Sequence, residues 1–220
     1  MTDPTRSRKH GARRPRRSDK PPRRDSADWL RIARSVLIEE GIDRVKVEPL
    51  AELLGVTTGS FYHHFRNRDE LLLRLLADWE ASNSDPIFKA VEAVGDNPTD
   101  QMDALLDMFI RESEYDPQYD SAVRAWAHNS KAVEKRVRRV DDQRIALLKR
   151  IFIGFGYDEQ RAFIRARITY FHQVGYQATE ITETAEQRRA LLPLYQEALV
   201  GTPPPLATRR PDKAEGKRRA

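Results

Sequence analysis

The sequence contains no cysteine and no long apolar segment. Without cysteine, the chain has no disulfide framework, no thiolate metal ligand and no cysteine nucleophile. Its longest uncharged stretches fall far short of the roughly 20 residues that cross a bilayer, and its arginine-rich N-terminus lacks the apolar core of a secretory signal. We therefore expect a soluble, cytoplasmic protein with no membrane partner.

The sequence also lacks the residue patterns of common catalytic and metal sites. It has neither a phosphate-binding glycine loop nor the Gly-x-Ser-x-Gly motif of hydrolases. No two histidines have the helical spacing that places two metal ligands on one face; the histidines are His10, His63, His64, His128 and His172. We expect no catalytic residue, no metal site and no cofactor, and therefore no enzyme.

The 220 residues carry a formal net charge of +5, and this charge is unevenly distributed. Residues 1–24 hold ten Lys or Arg and two acids, a net charge of +8, and residues 201–220 have a net charge of +4, which leaves −7 for the segment between them. We predict a disordered basic arm over 1–25 and a disordered basic tail over 201–220. On charge alone, an arm that binds phosphates and an arm that only keeps the chain soluble are equal alternatives.

Between residues 25 and 200 the apolar side chains recur at helical spacing, without sustained alternation, so we predict an all-α fold. The helix predicted over 158–181 is apolar on two faces, one of which carries Ile164, Ile168 and Phe171. A helix that is apolar on two faces must bury both, and a second subunit is the simplest partner for one of them. We assign to a dimer interface the other face and part of the last helix: Phe163, Ala166, Tyr170, Val174, Leu191, Leu192 and Tyr195.

The segment 47–64 has the spacing of a helix-turn-helix. Ala51 is small where the two short helices cross, and Gly55, four residues later, suits a left-handed turn position. Phe61 is expected to point back under the turn and to hold the second helix in place. The remaining outer positions are small and polar, so the tip of this helix is suited to entering a major groove.

The same residues resemble a known family. The run from Gly55 to Leu72, with its Gly-Val turn, short recognition helix, aromatic pair, His-Phe and following basic residue, is similar to the DNA-binding domain of TetR-family transcriptional repressors. The resemblance covers residues 28–80. It implies a three-helix DNA-binding domain over 26–80 and a helical ligand-binding and dimerisation domain over 81–200. It also implies a homodimer on a palindromic double-stranded operator, and a small-molecule ligand whose identity is unknown.

The resemblance further implies roles for individual residues of the recognition segment. Lys46 is expected to contact phosphate in place of the hydroxyl or basic residue that family members often have where this chain has Glu48 and Pro49. Thr58, Gly59 and Ser60 would meet base edges, Tyr62 and His63 would contact backbone or thymine methyls, and Thr57 would cap the recognition helix. Phosphates would be held by His64, Arg66 and Arg68.

A cavity between the C-terminal helices is also implied, and aromatic and polar residues on different predicted helices are its candidates. Each of them has ordinary core packing as the alternative. The candidates are Phe109, Trp126, His128, Tyr170 and Gln173. The predicted function is sequence-specific transcriptional regulation, as a repressor released by its ligand. The alternative function is an architectural protein that coats DNA without sequence preference through its basic tails.

Deleting residues 1–24 tests whether the basic arm contacts DNA. Each phosphate that the arm neutralises should add about −0.9 to the slope of log affinity against log salt concentration. We expect the truncated chain to bind DNA more weakly and with a shallower slope, while its sequence preference is kept. Binding titrations from low to high salt measure this, and an unchanged slope would show that the arm does not contact DNA.

Overall fold

The computed structural model describes residues 24–111, 114–179 and 183–202. These ranges contain ten α-helices, one short 3-10 helix over Ile42–Arg44 and no β-strand, so the prediction of an all-α fold is confirmed. No helix among them is long and apolar enough to cross a membrane. The basic arm, apart from its last two residues, and most of the C-terminal tail lie outside the described residues.

The helices are α1 (Ser26–Glu40), α2 (Val47–Leu54), α3 (Thr58–Phe61), α4 (Arg68–Asn83), α5 (Asp85–Ala93), α6 (Pro98–Arg111), α7 (Pro117–His128), α8 (Lys131–Gly154), α9 (Glu159–Ala178) and α10 (Ala185–Val200).

Side-chain caps fix the starts of the helices that carry the N-terminal domain. Asp25 accepts a hydrogen bond from the backbone N–H of Asp28, and Asp28 accepts one from the N–H of Asp25, which forms a capping box at α1. At α4, Asn67 accepts a hydrogen bond from the N–H of Glu70 at 2.9 Å. Each cap satisfies backbone donors that the first turn of a helix leaves without a partner.

The apolar core of the N-terminal helices continues into the C-terminal part of the chain. Trp29, Leu50, Phe61 and Leu75 are fully buried in this core. The same core includes Tyr119, Val123 and Trp126 of α7, and Val133, Val137 and Val140 of α8. α1 and α4, which flank the helix-turn-helix, therefore pack on α7, and α7 packs on α8, so a movement of α7 or α8 must be accommodated by this shared core.

A second core lies between α5, α6, the second half of α8 and α9. After the helix that follows the recognition segment, the sequence pattern predicts the next helix from Asp100, whereas the structure contains α5 between these two helices. Pro86 lies in the first turn of α5, where a missing backbone N–H costs nothing and the fixed φ favours the helix. Ile87 and Val91 of this helix are buried in the second core.

Two helices near the functional regions differ from the sequence-based prediction. Pro193 predicts a kink or break in the last helix, but α10 continues through it, and Pro193 lies on the exposed side of the helix. The recognition helix, predicted to reach His64, ends at Phe61. Residues 62–64 continue as a turn, in which the N–H of His64 donates to the carbonyl of Phe61 at 2.9 Å.

Candidate functional site

The turn between α2 and α3 has the geometry that the sequence predicts. Gly55 adopts a left-handed conformation, with φ 66° and ψ 35°, in which other residues are strained. The N–H of Val56 donates to the carbonyl of Ala51 at 3.0 Å, and Ala51 is buried at the helix crossing. A side chain larger than that of Ala51 would separate the two helices.

α3 is held in place by an aromatic cluster beneath it. The ring of Phe61 stacks on Phe65 with centroids 5.1 Å apart and meets Trp29 edge-on at 5.2 Å. These three rings are almost completely buried. On the outside, Tyr62 is 61% exposed. Other predicted DNA contacts are also exposed or partly exposed: Lys46, Thr57, Thr58, Gly59, Ser60, His63 and His64.

Thr57 has the position of an N-cap but not its hydrogen bond. The residue precedes α3 in an extended conformation, and its side chain makes no capping contact. The predicted capping role of Thr57 is therefore corrected. Thr57 is exposed at the start of α3.

The two arginines that follow α3 have different environments. The Arg66 side chain is 89% exposed, and its Nε lies 3.0 Å from Oε2 of Glu70. The backbone N–H of Arg66, then its side chain and that of Arg74, lower the pKa of Glu70 to about 2, so this carboxylate is charged at neutral pH. Arg66 therefore points outward with a counter-charge beside it.

Arg68 is turned inward, which corrects the prediction that it holds a phosphate. Its Nε donates to the carbonyl of Val45 at 2.6 Å, and its Nη2 donates to the carbonyl of Ile42 at 3.1 Å. These carbonyls lie on the segment that leads into α2. Arg68 thus ties the start of α4 to the start of the helix-turn-helix, a role that no sequence pattern indicates because both partners are backbone atoms.

A cavity of about 80 Å³ lies between α5, α6, α8, α9 and α10. Of the predicted lining residues, Phe109, Tyr170 and Gln173 are part of its wall. The prediction is wrong for Trp126 and His128, because α7 packs on α1 and α4: Trp126 is buried in the first core, and His128 is exposed at the helix end. Sequence reasoning missed several wall residues, among them Tyr115, Arg144, Thr169, His172 and Arg188.

A buried ionic network runs beside the cavity. Asp120 accepts hydrogen bonds from Arg124 Nε at 2.7 Å, from Arg144 Nη1 at 3.1 Å and from Trp79 Nε1 at 3.2 Å. Arg124 also contacts Asp141 at 2.8 Å. Burial by itself would raise the pKa of Asp120, but the two guanidinium groups outweigh it and hold this pKa below its usual range.

The exposed apolar residues of α9 and α10 include only Phe163 and Leu191 of the predicted dimer interface. Ala166 and Tyr170 are buried in the second core, Val174 packs against it, and Leu192 and Tyr195 line the cavity. Periodicity finds two apolar stripes on α9 but does not say which of them covers the protomer's own core. The large apolar side chains exposed on α9 and α10 are Phe163, Ile164, Ile168, Phe171, Leu191 and Leu194.

The N-terminal helices match a known sequence family. Residues 30–75 match the sequence profile of bacterial regulatory proteins of the tetR family. An HTH-type transcriptional repressor, KstR2 of Mycolicibacterium smegmatis, is 26% identical over 88 residues, which are 40% of this chain and 40% of that protein. KstR2 of Mycobacterium tuberculosis is 27% identical over 86 residues. The matched segment thus spans about two-fifths of the length of these relatives.

Solved structures share the architecture over most of the chain. The reduced form of E. coli NemR aligns with a TM-score of 0.66 at 16% identity, over 81% of this chain and 99% of NemR. The fatty acid degradation regulator FadR of Bacillus halodurans aligns with a TM-score of 0.61 at 17% identity, over 84% and 97% of the two chains. At this level of identity the similarity shows a common fold.

Replacing Asp120 with Asn tests the energetic weight of the buried network. The variant leaves the buried Arg144 without its carboxylate partner and leaves Arg124 with Asp141 alone, so we expect the free energy of unfolding to fall by about 3–5 kcal/mol at pH 7. Because folding lowers the pKa of Asp120, its contribution is complete above the unfolded value of about 3.9 and is lost as pH falls below it. Urea unfolding across pH should show that the difference in free energy of unfolding between the unchanged protein and the variant becomes smaller only in acid. The exposed Asp142→Asn variant should change stability by less than about 0.5 kcal/mol, and an equal loss in both variants would contradict the assignment.

Proposed function

Through its N-terminal domain, the chain belongs to the TetR family of bacterial regulatory proteins, and on that premise we propose that it is a sequence-specific repressor acting on duplex DNA in the cytoplasm. This family consists of regulatory proteins rather than enzymes. The relatives named KstR2 are transcriptional repressors, which supports repression over activation.

The observation that carries the proposal is the contrast between the two sides of α3. Its inner side chain, Phe61, is fully buried on Trp29 and Phe65, which makes the helix a rigid projection. Its outer side presents small polar groups at Thr58, Gly59 and Ser60. A helix tip of this size and polarity can approach base edges closely, and Tyr62 and His63 beside it can contact the DNA backbone or a thymine methyl.

In the proposed function, the protein acts as a homodimer on a palindromic operator. The exposed apolar face of α9 and α10, centred on Ile168 and Phe171, supports this, because isolated protomers rarely leave such a patch in water. Two-fold symmetry then places two copies of α3 on one duplex. They enter successive major grooves when they are about 34–36 Å apart.

The position of the cavity supports release from DNA by a small molecule. α4 connects the helix-turn-helix to the buried network, where Trp79 donates to Asp120, and Arg144 of that network is part of the cavity wall. A molecule that prefers one arrangement of these helices shifts the separation of the recognition helices. Conversion from mostly DNA-bound to mostly free requires roughly 5.5 kcal/mol of differential affinity for the two states.

Selection of bound fragments from random duplexes with the purified full-length chain tests the proposal. We expect a palindromic consensus, which would reflect both sequence specificity and two-fold symmetry. Enrichment of no sequence, together with loss of nearly all binding on removal of residues 1–24 and 203–220, would instead support an architectural protein that coats DNA through its tails.

Replacing Tyr62 with Ala tests the outer side of α3. We expect binding to the selected duplex to weaken by about 1–3 kcal/mol, roughly ten- to hundredfold, through loss of a contact at the interface. The thermal stability should change little because the side chain projects into solvent. Leu73→Ala, which truncates an equally exposed apolar residue on α4, serves as the control. Equal DNA affinity for the Tyr62→Ala variant and the unchanged protein would show that Tyr62 does not contribute to DNA binding.

Replacing Ile168 with Glu tests the dimer face. A charge in the centre of an apolar interface is left without a partner, so we expect the variant to sediment as a monomer at concentrations where the unchanged chain is a dimer. Analytical ultracentrifugation measures this, with Leu73→Glu as a control that keeps the dimer. A dimeric Ile168→Glu variant would show that the subunits associate through another surface.

A further inference from the structure

The wall of the cavity is mostly apolar but contains two buried polar atoms without a partner. Among the described residues, neither Oγ1 of Thr169 nor Nε of Arg144 makes a hydrogen bond. Both residues are 5% exposed, and both line the cavity. The large majority of buried polar groups in folded proteins are paired, so two unpaired ones on residues of one cavity wall indicate a place for an acceptor from a ligand.

We propose that the cavity binds an uncharged, largely apolar molecule with one carbonyl oxygen, which Thr169 and Arg144 hold, and that Arg144 transmits its binding to α4. The ligand class and the two residues that hold the ligand are inferred from the cavity alone. Only the effect on DNA binding rests on the function proposed above.

The charges around the cavity favour a neutral oxygen over a carboxylate. Arg124 and Arg144 are balanced by Asp120 and Asp141 in the buried network. The other charged wall residues, Arg188 and Glu183, have opposite signs. A carboxylate would therefore add an unbalanced charge in a desolvated place, whereas a carbonyl accepts the same hydrogen bonds without one.

The size of the cavity couples binding to movement of its wall. A cavity of about 80 Å³ is smaller than the roughly 150 Å³ that accommodates benzene in another protein. A ligand with a ring or a longer chain must displace wall side chains to enter the cavity completely. Close-packed interiors transmit such displacements to neighbouring elements rather than absorbing them.

Arg144 connects the cavity wall to the end of α4. Its Nη2 donates to the carbonyl of Asn83 at 3.0 Å and to Oγ of Ser84 at 3.2 Å. Its Nη1 donates to Asp120, which also accepts from Trp79 of α4. The guanidinium is a rigid plane, so turning Nε toward a ligand oxygen also turns both Nη groups. Arg144 is therefore a positioning residue for α4.

The ligand class is tested with three probes of matched shape: 2-acetylnaphthalene, 2-ethylnaphthalene and 2-naphthoate. Calorimetric titration of the full-length chain should show the ketone binding about tenfold more tightly than either the hydrocarbon or the carboxylate. Thr169→Val keeps the side-chain shape but removes the hydroxyl, and should reduce the preference for the ketone to about threefold or less. Thr179→Val, at the exposed end of the same helix, should leave it unchanged. Equal affinity for ketone and hydrocarbon, or failure of all three to bind, would overturn the proposal.

The link to α4 is tested by amide hydrogen exchange, which does not require DNA. Saturating 2-acetylnaphthalene should change exchange in the last turns of α4 by about threefold or more, and Arg144→Lys, which loses the planar fork, should abolish this change. Arg136→Lys is the matched control, because Arg136 also extends from α8 to α4, at Glu80. An unaltered α4 in the unchanged protein would refute the link even if Arg144→Lys fails to fold.

Failure of the proposed function is distinguishable from failure of this inference. If no duplex is bound, the probe affinities and the exchange of α4 still decide the ligand class and the link. If a duplex is selected, the ketone should weaken its binding and the duplex should weaken ketone binding by the same factor. A ketone that binds with the expected preference and moves α4, but leaves DNA affinity unchanged, would refute the coupling to DNA alone.

Discussion

The carboxylate of Asp120 lies where three parts of the molecule meet. It accepts hydrogen bonds from α4 through Trp79, from its own helix through Arg124, and from α8 through Arg144. Burying one carboxylate with two guanidinium groups costs desolvation energy that pure apolar packing would not. What the network provides is orientation, because each bond has a required direction. Asp120 therefore joins α4, which follows the helix-turn-helix, to Arg144 of the cavity wall.

Other side chains at the start of α7 also connect this helix to α1 and α4. Tyr119, next to Asp120, donates its hydroxyl to the carbonyl of Leu75 on α4 at 2.7 Å, and the guanidinium of Arg34 on α1 lies 4.3 Å from the centre of the Tyr119 ring. Arg34 also pairs with Asp116 at the start of α7. α7 therefore holds both α1 and α4, and the N-terminal domain shares a continuous core with the helices that follow it.

The fold and the recognition segment could be predicted from the sequence because their signals are local. The Gly55 turn, the small Ala51 and the inward Phe61 lie within a dozen residues, and each has a direct conformational reason. The features that could not be predicted depend on distant partners. Arg68 bonds to carbonyls 23 and 26 residues away, and Arg144 reaches Asp120 across 24 residues. From the sequence, Arg68 is expected to hold a phosphate, and Arg144 has no predicted role.

Choices between helix faces were unreliable for the same reason. Apolar spacing shows that α9 has two apolar stripes, but only the packed structure shows that Ala166 faces inward and Ile168 outward. Similarly, Trp126 is an aromatic residue suited to a cavity, yet it is buried in the first core. Secondary structure follows from a pattern along the chain, whereas a binding site follows from which faces meet in three dimensions.

The two hydrogen bonds of Arg68 connect the start of α4 to the segment that leads into α2. A tilt of α4 would therefore move the helix-turn-helix with it. α4 has 16 residues, which at 1.5 Å per residue gives a rod about 24 Å long. A tilt of about 5° about its Asn83 end then displaces the Arg68 end by roughly 2 Å, and the displaced end carries α2 and α3 with it. In a symmetric pair the two displacements add. In the proposed dimer on DNA, a displacement of this size would change the separation of the two recognition helices relative to the pitch of the double helix.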